Sequence, residues 1–141
     1  MEYKDLASVS GKGGLYRVIK PTRTGVILET MDEKKQRFMA GMHQRVSLLN
    51  EISIYTTTQE GSTPLENVFQ TIYNEFGNDT GLDSGSDQDE LKSFLKHILP
   101  EYDEERVYPS DIKKLIVWYD ILLNCCPEIF TKDPERDKEK E

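Results

Sequence analysis

Alternating apolar residues run in short stretches through the first 57 positions of this chain, and from Thr63 the apolar spacing becomes helical. That change of period sets the fold class, because a two-residue repeat builds strands and a 3.6-residue repeat builds helices. Leu15 to Lys20 reads as a first full strand, closed by Pro21 and preceded by a flexible turn at Gly11, Gly13 and Gly14. Val26 to Met31, Gln36 to Met42 and Ile52 to Thr57 follow as strands, with a short stretch at Val46 to Leu49. Thr22 to Gly25 is a turn, and Asp32-Glu33-Lys34-Lys35 is a charged hairpin tip. Several short strands in so few residues predict a small SH3-like or Tudor-like β-barrel, since closure removes exposed edges. The segment is short for an OB-type barrel. A unit of roughly 60 residues buries only about 60% of its unfolded surface, so it is expected to lean on the helices.

The first helix is signalled by Thr63 as N-cap, Pro64 at the first helical position and Glu66 completing a capping box. Leu65, Val68, Phe69, Ile72, Tyr73 and Phe76 form its apolar stripe, and Gly77 stops it. This helix is expected to cap the barrel. A polar, glycine-rich linker fills 78–87. A second helix starts at Asp87, with Glu90 three residues on, and ends at Pro100; a third starts near Ser110 and stops before Pro127. The expected organisation is α+β: a barrel with capping helix over 1–77, the linker, a helical hairpin over 88–130 and a disordered charged tail over 131–141.

Charge is divided unevenly. Residues 1–60 carry nine Lys or Arg against seven Asp or Glu, and residues 61–141 carry nine against nineteen, leaving +2 and -10 within a net -8. So acidic a second half is poorly suited to a phosphate backbone. The two cysteines, Cys125 and Cys126, are adjacent and unsuited to pairing with each other. No signal-peptide pattern and no apolar run near 20 residues occurs, so a cytoplasmic protein without membrane contact is expected.

Catalytic and metal patterns fail on mechanism. Gly11-Lys12-Gly13-Gly14 lacks the Walker spacing, and the following Leu15-Tyr16 opens a strand rather than the helix N-terminus a phosphate needs. Asp79, Asp83, Asp87 and Asp89 fit no EF-hand frame. His43 and His97 have no partners at metal-ligand or nucleophile-base spacing. No enzyme activity, cofactor or metal is therefore expected.

Two surfaces remain. The strand unit combines Lys12, Arg17, Lys20, Arg23, Lys34, Lys35, Arg37 and Arg45 with Tyr16, Phe38 and Tyr55. Cations for phosphates beside aromatic faces for bases is the chemistry of single-strand binding, and Arg17, Lys20, Arg23, Lys35 and Arg37 are the candidate RNA contacts. Tyr55, Tyr108 and Trp118 are the candidate protein contacts, because interfaces favour exposed aromatic residues. The leading expectation is a non-catalytic binding or adaptor module for a protein partner. RNA or single-stranded nucleic-acid binding is the alternative.

Asp5-Leu6, Ser8-Val9-Ser10-Gly11-Lys12, Gly14-Leu15-Tyr16, Gly25-Val26-Ile27-Leu28-Glu29, Ile52-Ser53-Ile54-Tyr55-Thr56, Pro64-Leu65 and Val68-Phe69 resemble an uncharacterised Bacteroidetes domain-of-unknown-function family. Leu99-Pro100, Tyr102-Asp103, Arg106-Val107-Tyr108, Ser110-Asp111-Ile112-Lys113-Lys114 and Trp118-Tyr119 resemble its helical companion domain. The resemblance spans roughly residues 4–125 and implies no activity, cofactor or catalytic residue. Gly13 stands where many relatives have proline, and Lys34-Lys35-Gln36-Arg37 is more basic than the family pattern.

Overall fold

The structure, a computed structural model, describes residues 2–83 and 85–131. A 3-10 turn at Tyr3–Asp5 leads into β1 (Leu6–Val9) and β2 (Lys12–Thr22), followed by β3 (Gly25–Thr30), β4 (Arg37–Gly41) and β5 (Val46–Leu48). After a second 3-10 turn at Leu49–Glu51 come β6 (Ser53–Tyr55) and β7 (Ser62–Pro64). The helices are α1 (Leu65–Phe76), α2 (Gln88–Ile98), α3 (Pro109–Cys125) and the single turn α4 (Glu128–Thr131). Five strands form one antiparallel sheet in the order β4-β3-β2-β1-β5, and β6 and β7 form a second. The architecture is α+β. No ladder joins β4 to β5 among the described residues, so closure into a barrel is not observed there.

Strand alternation splits the large sheet between two cores, because neighbouring side chains point to opposite faces. Ala7, Val9, Leu28 and Ala40 are buried on one face, with Tyr16, Val18, Val26, Phe38, Val46 and Leu48 packed around them. All five strands contribute, so this face curls around its own small core. Register shifts between Ala7 and Val9 and between Val18 and Lys20 mark bulges, which bend strands. Leu6 and Leu15 face the other way, into a larger core with Phe69, Leu95, Ile112 and Tyr119. That core takes residues from the first turn through α4, so sheet and helices share one interior.

Several local expectations are corrected. β2 is longer than Leu15 to Lys20: Gly13 and Gly14 lie inside it, and Pro21 pairs with Val26 rather than ending it. β1 stops pairing at Arg17, so β2 beyond that point is an edge, where proline is tolerated. Thr63 is no N-cap. It pairs with Ile54 in the β6–β7 hairpin, and Pro64 occupies the cap position without a side-chain hydrogen bond. The strand expected over Ile52 to Thr57 shortens to β6 and joins β7 instead of the large sheet. α2 begins as expected: Asp87 Oδ1 accepts from the Glu90 N–H at 2.8 Å. Within 78–87, Asp79 and Asp83 accept from the N–H groups of Gly81 and Gly85, and Leu82 packs on the larger core. The charged tail lies outside the described residues from 132 onward.

Candidate binding surface

α3 positions the surface. Ile112, Leu115, Ile116, Tyr119 and Leu122 bury one face, which leaves Ser110, Lys113 and Lys114 exposed and Trp118 half-buried. Its start is fixed by the Tyr108 N–H, which donates to Asp111 Oδ2 at 3.0 Å. Gly14 of the β1–β2 hairpin lies against α3, and its backbone conformation rather than its lack of a side chain calls for glycine. A Cβ there would stand 3.6 Å from Ile121 Cδ1, and its φ of +82° is one that side-chain-bearing residues rarely adopt.

Between hairpin and helix lies an open groove of about 750 Å³. Lys12, Arg45, Lys113 and Lys114 line it with Trp118 and hydroxyls that include Ser10 and Ser110, and among the described residues its lining holds no carboxylate. None of these four cations makes an ion pair among the described residues. Two further depressions adjoin it. One, of about 580 Å³, shares Lys12 and adds Tyr16, Arg37 and Phe38. There Lys12 Nζ sits 4.1 Å from the centroid of the Phe38 ring, which meets Tyr16 edge-on at 5.2 Å. The other, of about 240 Å³, shares Lys114 and Trp118 and adds Ile54, Tyr55, Arg106 and Val107. Among the described residues, Asp111 is the one carboxylate in the three linings.

The Tyr55 end is held by backbone bonds. Asp103 N–H donates to the Tyr55 carbonyl at 2.9 Å, and Thr57 N–H donates to the Glu101 carbonyl at 2.8 Å. These bonds carry Arg106 over the Tyr55 ring, 5.3 Å from its centroid. The Arg106 guanidinium also reaches Asp103 at 3.7 Å.

The five sequence-predicted RNA contacts are not gathered. Arg17 and Arg37 flank Glu29 across the sheet, at 3.9 and 3.1 Å, and the Glu29 side chain is only 9% exposed. Their charges are therefore turned toward a carboxylate. Lys20 and Arg23 sit at the β2–β3 end, while Lys35 occupies the β3–β4 turn with φ +45°. β3 separates the two ends by roughly 17 Å at 3.4 Å per residue. Among the aromatic candidates, Tyr55 is 51% exposed and shares its groove with Trp118. Tyr108 is 61% exposed and lies outside the lining of that groove. Sequence reasoning missed Lys113 and Lys114 as site residues. Lys114 and Trp118 stand four apart on α3, a spacing that places them on one helix face.

His43 is exposed, His97 pairs with Glu75 at 3.6 Å, and no group of three potential metal ligands occurs among the described residues. No helix there is long and apolar enough to cross a membrane.

Residues 4–49 match the pattern of a family described as Domain of unknown function (DUF5606), and residues 52–122 match Domain of unknown function (DUF6852). No curated protein matches the chain. A solution structure of a structural-genomics target from Bacteroides vulgatus is 33% identical, covers 93% of this chain and 89% of its own, and superposes with a TM-score of 0.66. With half its length in one pattern and most of the remainder in the other, the chain belongs to this uncharacterised family of Bacteroidetes type, a DUF5606 domain followed by a DUF6852 domain.

Proposed function

We propose that this chain is a non-catalytic protein-binding module whose partner inserts a bulky apolar side chain between Tyr55 and Trp118. The observation that carries this reading is the half-exposed Tyr55 ring beside the half-buried Trp118, in a groove floored by Ile54, Val107 and Leu115. Aromatic residues at the centre of a concave apolar patch are where binding energy concentrates. Arg106, which also pairs with Asp103, and Lys114 flank the groove, and Lys114 makes no ion pair among the described residues, so the partner segment carries an acidic residue beside its apolar anchor. The same reading takes the curled sheet as an SH3-like unit that scaffolds the groove. It places the module in the cytoplasm, where two free thiols, one of them exposed, persist unpaired.

Selection from a displayed library of random peptides tests the proposal. Peptides with an aromatic or large aliphatic residue next to Asp or Glu should be recovered and should lose at least about tenfold in affinity on Tyr55→Ala. Recovery of peptides that bind Tyr55→Ala and Arg106→Ala as tightly as the parent chain would sink it.

A further inference from the structure

We infer that the groove between the β1–β2 hairpin and α3, which meets the Tyr55 groove at Lys114 and Trp118, binds a single-stranded nucleic acid. Lys12 and Arg45 come from the sheet and Lys113 and Lys114 from α3, so only the folded chain assembles the set. In a chain of net charge -8, four cations that make no ion pair among the described residues, facing a concave surface to which those residues bring no carboxylate, form a local field opposite in sign to the net charge. Such a surface selects a polyanion.

The aromatic residues narrow the class. Trp118 lies at one end of the groove, and the Tyr16–Phe38 pair lies in the depression that continues past Lys12. Rings at both ends with cations between them suit a strand whose bases are free to stack and whose phosphates need neutralising. A duplex keeps its bases inside and offers these rings nothing, and an acidic peptide has carboxylates but no bases. Lys12 covers the Phe38 face and must swing toward a phosphate for a base to reach that ring. Glycines at 11, 13 and 14 bring the hairpin backbone into the same lining, next to the Ser10 hydroxyl. The four cations are a different set from the five that the sequence suggested. They require α3 to lie across the sheet, so residues of the acidic half complete the site.

The test is fluorescence anisotropy of a labelled mixed-sequence RNA of about a dozen nucleotides with the full chain, at low and physiological salt. If all four cations meet phosphates, log affinity falls against log salt with a slope of about -3. Reversing charge at Arg45 and Lys113, both exposed, should weaken binding by at least about tenfold, with an unchanged circular dichroism spectrum. Lys113→Gln alone should show the same direction at smaller size and guards against misfolding of the double variant. Reversal at Lys20 and Arg23, outside the groove, should change affinity less than about twofold. Tyr55→Ala should leave RNA binding intact, which separates this site from the protein-binding groove. Absence of binding at low salt, equal binding by the duplex, competition by poly-glutamate as effective as by RNA, or indifference to the Arg45 and Lys113 reversals would each overturn the inference.

Discussion

The Tyr119 hydroxyl donates to the carbonyl of Gly77, which fastens the middle of α3 to the end of α1 across 42 residues of sequence. Tyr119 is fully buried, and its ring also packs against Phe69 and Phe130. Tyr119→Phe keeps the ring and leaves the carbonyl without this donor. The expected loss is about 1–2 kcal/mol, read by urea unfolding. An unchanged midpoint would show that water replaces the hydroxyl freely.

Glu29 forms the centre of a cross-strand charge triad with Arg17 and Arg37. Both arginines are more than half exposed, so each pairing is screened by water. A double-mutant cycle of Glu29→Gln and Arg37→Gln should give a coupling of about 0.5–1 kcal/mol, and one run at high salt should give less.

Leu6 is wholly buried in the larger core while its neighbour Ala7 is buried in the smaller one. Leu6→Ala should cost about 2–5 kcal/mol. Because sheet and helices share the larger core, Trp118 fluorescence and helical circular dichroism should still report one coincident transition. Two separated transitions would show that the halves unfold independently.

Gly25 has no room for a side chain. A Cβ would lie 1.9 Å from the Ala40 carbonyl oxygen, a backbone atom of the paired strand. Gly25→Ala should therefore destabilise by about 1–3 kcal/mol or more. Gly41→Ala, opposite it on the ladder, meets nothing within 4 Å and should stay within about 1 kcal/mol of the parent. Thermal melts of the two variants make the comparison.

The adjacent thiols should behave differently. Cys125 is exposed, whereas Cys126 is buried and its pKa is pushed up to about 11, chiefly by burial and then by Glu128 and Cys125. Iodoacetamide near neutral pH should add one label to the native chain and two after denaturation. Burial likewise pushes the Tyr119 hydroxyl up to about 12, with Tyr73 and Asp120 adding to it. Both groups hold their protons more tightly folded than unfolded. Their contribution to stability is complete below the ordinary values of 9.0 and 10.0 and is lost as pH climbs through about 11 and 12. Chemical denaturation at pH 8 and pH 11 should show the decline.

What could be read in the sequence follows the range of the forces involved. The start of α2 was legible because Asp87 and the Glu90 N–H settle it within three residues. The same local logic failed at Thr63, which lies in β7 and pairs with Ile54 of β6, overriding a good capping signal. Pro21 misled for a related reason: its tolerance depends on β1 having ended beside it, which no local pattern records. α4 is one turn long, too short for periodicity to mark. In the candidate surface, Tyr55 and Trp118 were legible as unusual aromatic residues. The sharing of one carboxylate, Glu29, by Arg17 and Arg37 was not, because it depends on strand register. Nor was the meeting of Lys12 and Arg45 with Lys113 and Lys114, which depends on where a helix about 100 residues later in the chain comes to rest.

The boundary between the two family patterns falls between residues 49 and 52, yet Leu6, Leu15 and Leu49 on one side of it are buried with Phe69, Ile112 and Tyr119 on the other. The halves are therefore poor candidates for exchange during evolution. A first half joined to a new neighbour would carry bare leucines on the outer face of its sheet, and a second half alone would lose the floor on which its helices rest. Changes at Leu6 or Leu15 should accordingly be answered by changes in the helices, so that the pair is inherited together.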